Sequence, residues 1–242
     1  MTQSVRELSY PQLLKHARHI MLPAMDIDGQ ERLFNSHMLI VGVGGLGCAA
    51  AQYLVASGIG AVTLMDDDAV DASNVSRQIL YRASDIDRSK VCCAQAQLQT
   101  LNPDCQISVS STRFSADTVV TEYDCVLDCT DNKATRLAID QACANAGVPL
   151  VVGAAIRMEG QLGVFHTAQS KTNYRDVARM FGQPGDSCSE AGVLSPVVGI
   201  IGAMQATEAI KLLSGCAPVL CDQWLMLDAA TMQMQTFALS PS

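Results

Sequence analysis

Residues 37–57 read HMLIVGVGGLGCAAAQYLVAS. The apolar run from His37 to Val43 ends in glycines, which suits a buried parallel strand. Leu46 to Ser57 is rich in Ala and Leu and reads as a helix. Between them Gly42, Gly44, Gly45 and Gly47 have the spacing G-x-G-x-x-G. Such glycines permit a tight turn and let backbone N–H groups approach an anionic phosphate at the helix N-terminus. Ala61 to Met65 is the next strand. It ends on Asp66, nineteen residues after Gly47, where a carboxylate can accept hydrogen bonds from ribose hydroxyls. Strand, turn, helix and spaced acid together point to a nucleotide. A structural glycine turn is the competing reading, and the fingerprint alone suits NAD as well as ATP.

The same region is chemically unusual. From Leu33 to Met65, thirty-three consecutive residues contain no Asp, Glu, Lys or Arg. Six glycines and several polar residues interrupt the run, so no twenty-residue apolar span survives inside it. Across all 242 residues only 17% are charged, against roughly 25% in an average soluble domain. Hydrophobic residues make up 49%, enough for one sizeable core, and residues 1–242 are expected to form a single domain. The N-terminal sequence has no secretory-type apolar segment, and the ten cysteines contain no C-x-x-C pair. Reduced thiols and a cytoplasmic location are therefore expected, with no membrane association. The net charge of −8 disfavours nucleic-acid binding by bulk electrostatics.

Outward from the glycine turn, strand and helix patterns alternate. Val5 to Leu22 reads as helical within an N-terminal arm over residues 1–30. Lys90 to Leu101 and Lys133 to Ala146 read as helices. Gln106 to Ser110, Asp124 to Leu127 and Pro149 to Val152 read as strands. This alternation predicts an α/β fold, a Rossmann-like doubly wound and mostly parallel sheet. After Gly153 the rhythm changes, and Gly160 to His166 alternates like an antiparallel strand. Residues 167–190 form a polar, turn-rich crossover loop. Pro196 to Leu213 is an apolar helix, and Trp224 to Leu227 with Met232 to Ala238 form a closing hairpin. The sheet thus gains an antiparallel C-terminal extension.

Several residues carry possible chemistry. Arg77 and Lys90 could neutralise phosphates, Arg as a fork and Lys as a point charge; the bland alternative is two solvated surface charges. Asp131 follows a strand in Asp128-Cys129-Thr130-Asp131-Asn132. It suits either a Mg²⁺ ligand or the N-cap of the helix that starts at Lys133. Cys188 lies in a polar segment before a helix, where a thiol pKa can be lowered; the competing reading gives it no covalent role.

Taken together, Arg18-His19-Ile20, Asp28-Gly29-Gln30, the glycine turn, Ser73-Asn74, Arg77-Gln78, Lys90-Val91, residues 128–132 and residues 153–161 resemble the ubiquitin-activating-enzyme superfamily. Within it they resemble the bacterial adenylyltransferases of sulfur-carrier proteins, the molybdopterin branch ahead of the thiamine branch. The resemblance runs from about Arg18 to the end of the chain. It implies a homodimer that binds ATP and Mg²⁺ and acts on a small ubiquitin-like sulfur-carrier protein ending in Gly-Gly. Residues carried over by motif are Gly42, Gly44, Gly45 and Gly47 at the nucleotide, Asp66 at the ribose, and Asn74, Arg77 and Lys90 around the phosphates, with Ser73 and Asn132 also among the nucleotide-binding residues. Asp131 would hold Mg²⁺, and Arg18 would reach the ATP of the second subunit. Cys188 matches a cysteine that in the thiamine branch can link covalently to the carrier. Many such relatives hold a structural zinc with two C-x-x-C pairs. Here Asn173-Tyr174-Arg175-Asp176 stands in place of the first pair and the second is missing, so no zinc is expected. Asp67 stands where relatives often have an aromatic residue. The readings that compete with carrier adenylylation are an NAD oxidoreductase, for which no acid–base pair is apparent, and an inactive carrier-binding scaffold.

Overall fold

A computed structural model describes residues 6–180 and 192–241. Eight strands form one sheet in the order β3-β2-β1-β4-β5-β6-β7-β8. They are β1 (His37–Val41), β2 (Ala61–Met65), β3 (Gln106–Ser110), β4 (Cys125–Asp128), β5 (Leu150–Ile156), β6 (Glu159–Phe165), β7 (Gln223–Asp228) and β8 (Gln233–Ala238). The first five run parallel, and β6, β7 and β8 add on antiparallel. Strand order reverses at β1, so a crevice opens above β1 and β4, at their C-terminal ends.

The charge-free run owes its composition to this position. Successive side chains of a strand point to opposite faces, and both faces of β1 are covered. Met38 and Ile40 join a core with α4 (Gly45–Ala56), α5 (Lys90–Leu101) and α8 (Ser195–Ser214). Leu39 and Val41 join a second core with Ile139 and Cys143 of α6 (Lys133–Ala146), Phe165 and Trp224. A charge at any of these strand positions would be buried without water. Helix α8 has the length and apolarity of a membrane span, but half of that span is buried inside the molecule, and it packs chiefly against α4 and β5.

Two expectations need correction. The stretch over residues 5–22 is not one helix but holds two shorter ones, α1 (Tyr10–Lys15) and α2 (Ala17–Ile20), and α3 (Asp26–Phe34) follows. Pro11 suits a helix start because its missing N–H has no partner there anyway, and the Gln12 side chain accepts the Ser9 N–H at 2.9 Å. His16 breaks the helix and turns inward, 7% exposed. Second, the crossover segment is not all loop: Tyr174–Met180 forms α7.

Where zinc-holding cysteines were expected to be missing, α7 begins with a reciprocal cap. The Asn173 N–H donates to Asp176 Oδ2 (3.0 Å) and the Asp176 N–H to Asn173 Oδ1 (3.3 Å). Around it, Asp222 accepts hydrogen bonds from the Lys171 and Thr172 N–H groups (both 2.9 Å) and from the Thr172 hydroxyl (2.7 Å). Asp140 of α6 accepts from the Tyr174 N–H at 3.1 Å and pairs with His166 Nε2 at 2.8 Å. Carboxylates thus tie residues 166–176 to α6 and to the turn before β7. Cys188 lies outside the described residues. The nine cysteines among the described residues are free thiols.

Candidate active site

A cleft of about 470 Å³ opens at the C-terminal ends of β1, β2 and β4. Its floor is the glycine turn, which is held from three sides. The Val43 N–H donates to Asp66 Oδ2 at 2.7 Å. The Val43 carbonyl accepts from the Tyr81 hydroxyl at 2.6 Å and from the Cys48 thiol at 3.3 Å. Burial pushes the Cys48 thiol up to about 12, so it stays protonated and able to donate. Gly42 has φ +88°, and a Cβ there would sit 2.8 Å from the Cys129 carbonyl oxygen. At Gly47 a Cβ would lie 2.0 Å from the Gly42 carbonyl oxygen. Gly42, Gly44 and Gly45 line the cleft, whereas Gly47 does not. Gly47 lets helix α4 start close against the turn.

Asp66 leaves β2 at the cleft wall. Its second oxygen accepts the Asp68 N–H at 2.9 Å. Burial raises its pKa, opposed by the nearby Lys90 ammonium and by these two backbone donors. Asp67 stands 3.9 Å from the exposed guanidinium of Arg113, a residue with no motif to mark it, which also lines the cleft. Lys90 opens α5 and is 6% exposed; its Nζ meets Asp68 Oδ2 at 2.6 Å. Arg77 is half-buried on the cleft wall and donates from Nη1 to the Ser73 carbonyl at 3.0 Å. Asn74 is buried and lines the cleft.

Ser73 does not line the cleft; its N–H and hydroxyl both bond to Asp71 Oδ1 (2.8 and 2.6 Å). Those bonds hold the Asp71 carboxyl below its usual range. Ser73 therefore shapes the short 3₁₀ turn Ala72–Asn74 and acts on the site through Asn74 and Arg77.

The opposite wall is the loop after β4. Asp128 is fully buried, and its Oδ1 accepts the Thr130 N–H (2.9 Å) and hydroxyl (2.7 Å). Burial raises its pKa, with Arg136 and Thr130 opposing. Arg136 donates to the Thr130 carbonyl. The N-cap of α6 is Asn132, whose Oδ1 accepts the Thr135 N–H at 2.8 Å. That assignment separates the two readings of Asp131: it is not the cap. Asp131 is exposed at the cleft, and no hydrogen bond or ion pair of its side chain occurs among the described residues.

The cleft can therefore seat a polyanion beside a divalent cation. Asp66, Asp67 and Asp68 bring ligand atoms within 4.8 Å of one another, but backbone donors and Lys90 engage Asp66 and Asp68, and Arg113 faces Asp67. Asp131 is the carboxylate left without such a partner, which fits Mg²⁺ shared with phosphate oxygens. Arg18 lies exposed on α2 and does not line the cleft of its own chain. Sequence reasoning missed Gln78, Arg113, Phe114, Arg136 and Val198, which line the cleft. Gln78 had a signal in its place beside Arg77.

Known proteins resemble this chain in sequence and in fold. The chain is 44% identical over 236 residues to the molybdopterin-synthase adenylyltransferase of Haemophilus influenzae, covering 96% of this chain and 97% of that one. Its likeness to the Escherichia coli protein of the same name is also 44%, covering 96% and 95%. The sulfur carrier protein ThiS adenylyltransferase of E. coli is 43% identical over 205 residues, covering 84% and 82%. Among solved structures, PaaA superposes with a TM-score of 0.81 at 20% identity, covering 99% of this chain and 77% of that one. E. coli MccB with ATP gives 0.75 at 18%, covering 89% and 67%; both speak for the fold alone. A family model described as ThiF family matches residues 16–242. With the glycine turn, the acid after β2 and the Asn-Arg-Lys wall all in place, the chain belongs to the ThiF family.

Proposed function

We propose that this protein adenylylates the C-terminal glycine carboxylate of a small ubiquitin-like sulfur-carrier protein, using Mg·ATP, in the service of molybdopterin synthesis. The observation that carries this reading is the cleft itself: a buried Lys90 and a half-buried Arg77 line it together with a carboxylate, Asp131, whose side chain has no hydrogen bond or ion pair among the described residues. A scaffold would have no use for that set.

The chemistry asks little of a base. The carrier carboxylate is already ionised near pH 7. One of its oxygens attacks the α-phosphorus of ATP, a new P–O bond forms, the α–β bridge breaks, and pyrophosphate leaves with its electron pair. No proton moves. The obstacle is the approach of one anion to another, so positioning and fixed positive charge must supply most of the rate. Gly42, Gly44 and Gly45 would face the nucleotide, Asp66 the ribose, and Asn74, Arg77 and Lys90 the phosphates. Asp131 would hold Mg²⁺, which supplies charge neutralisation on the phosphate oxygens.

Arg18, exposed on α2, is proposed to enter the cleft of a second copy in a homodimer. The protein is proposed to be cytoplasmic, in keeping with its free thiols. It is also proposed to work without zinc, because Asn173 and Asp176 spend their side chains on capping each other. Cys188 is kept as a candidate for a covalent link to the carrier.

Carrier-dependent exchange of pyrophosphate into ATP tests the proposal, run separately with a molybdopterin-type and a thiamine-type carrier. Exchange with the first supports it. Exchange with the second alone moves the chain to the thiamine branch, a reading favoured by the 43% identity to the ThiS adenylyltransferase. Exchange with neither overturns it.

A further inference from the structure

Helix α8 is apolar through most of its length, yet Gln205 lies in its middle with no exposed surface. All of its hydrogen-bonding groups point at the cleft's supporting strands. Nε2 donates to the Asp128 carbonyl at 2.8 Å and lies 3.5 Å from the Val151 carbonyl. Oε1 accepts the Cys129 thiol at 3.4 Å. Burial raises the Cys129 thiol well above its ordinary range, consistent with a protonated donor. The amide therefore spans the two neighbouring strands β4 and β5, at the residues where β4 gives way to the loop carrying Thr130, Asp131 and Asn132.

The neighbouring sequence is shaped around this side chain. A Cβ at Gly153 would lie 2.3 Å from Gln205 Cδ and 2.4 Å from Oε1, so β5 carries glycine where the amide passes. On the other side, the Cys129 carbonyl is the group that a Cβ at Gly42 would meet at 2.8 Å. A continuous packed path thus runs from Gln205 through Asp128 and Cys129 to the glycine turn. A buried amide costs several kcal/mol unless it is satisfied, and a Leu or Met would fill the same volume without that cost. Core packing alone gives no reason for a glutamine here.

We propose that Gln205 is a positioning residue of the nucleotide cleft. It fixes the end of β4, and through it sets the height of the Asp131 loop against the glycine turn. This rests on the reading of the cleft as a Mg·ATP site, and it adds a residue that touches neither nucleotide nor carrier.

The test measures Mg·ATP affinity by titration calorimetry, without carrier, beside thermal melting. Three variants are compared with the wild type: Gln205→Met, Gln205→Ala, and Gln205→Ala combined with Gly153→Ala. In the double variant the new methyl of residue 153 occupies space vacated by the amide. Its melting temperature should therefore exceed that of Gln205→Ala, while Mg·ATP affinity stays about tenfold below wild type, the loss equivalent to one buried hydrogen-bond network. Gln205→Met should show a similar loss of affinity. If either single variant fails to fold, the double variant carries the comparison. Recovery of affinity together with melting temperature in the double variant would make Gln205 a packing residue and overturn the proposal. A wild-type chain that binds no Mg·ATP would overturn the nucleotide reading and this proposal together. Loss of carrier turnover alone, with ATP affinities as predicted, would count against the function and leave the positioning role supported.

Discussion

Replacing Lys90 by Met separates catalytic electrostatics from stability more cleanly than any other change in the cleft. The Lys90 side chain is 7% exposed and its Asp68 partner 63% exposed. Because Asp68 is largely solvated, it can recover hydration when the ammonium is removed, and a pair with one exposed member contributes only about 0–1 kcal/mol. Met fills most of the volume of the buried stem. A loss of about 1 kcal/mol corresponds to a fall of roughly 2–4 °C in Tm for a chain of this size. The effect on phosphates is much larger. A unit charge about 4 Å from a phosphate oxygen interacts by about 4 kcal/mol at an effective dielectric of about 20. At about 1.4 kcal/mol per tenfold, that is roughly a thousandfold in kcat/KM. Carrier-dependent pyrophosphate exchange, with differential scanning calorimetry on the same preparation, reads both quantities. A variant that keeps its Tm and retains more than about a tenth of wild-type kcat/KM would refute the phosphate-clamp role argued from burial and charge.

Other changes test other parts of the site. Asp131→Asn should raise the Mg²⁺ concentration needed for half-maximal exchange while leaving stability within about 0.5 kcal/mol of wild type, because Asn132 and not Asp131 caps α6; an unchanged Mg²⁺ titration would remove Asp131 from the metal. Tyr81→Phe takes away the 2.6 Å hydrogen bond to the Val43 carbonyl. It should cost about 1 kcal/mol of stability and weaken ATP binding, and calorimetric titration reads the second effect. At Asp222, burial pushes the carboxyl up, but the Thr172 hydroxyl and the Lys171 and Thr172 N–H groups outweigh it and hold the carboxyl below its usual range. A depressed folded-state pKa gives stability that is present above the ordinary carboxylate value of about 3.9 and is lost as pH falls through the lower folded value. Asp222→Ala should therefore lower stability at pH 7 by about 1–3 kcal/mol, and the gap to wild type, read by thermal melting, should narrow as pH falls below the ordinary carboxylate value of about 3.9. A pH-independent gap would mean that the carboxylate charge is not what ties down the crossover segment.

How much of this was legible in the sequence depends on how local each signal is. The strand, glycine turn, helix and Asp66 were readable because they lie within thirty residues of one another and interact directly, through the Val43–Asp66 hydrogen bond. The mostly parallel, doubly wound character of the sheet followed from the same alternation. Asp131 and Asn132 are chemically equivalent as caps in a sequence, and only the Asn132–Thr135 bond distinguishes them. Helix α7 was hidden because it is short and lies within a longer polar, turn-rich segment; its order comes from Asp140 and Asp222, which are distant in sequence and contact the segment only after folding. Arg113 has no motif, and its place at the cleft depends on how β3 lies beside β2. Asp67 faces Arg113, so its charge is partly balanced at the cleft lip. Gln205 was visible as a polar residue in an apolar helix, but periodicity alone says only that the position is buried.

The central claim is that the carrier's terminal carboxylate is joined to the α-phosphate of ATP. Mass spectrometry of the carrier, after incubation with the enzyme, Mg·ATP and pyrophosphatase, tests this most directly. The expected result is a carrier that gains one AMP at its C-terminal glycine, with no gain when that glycine is removed or its carboxylate is amidated. An unmodified carrier alongside consumed ATP, or AMP found on the carrier with its C-terminus blocked, would contradict it.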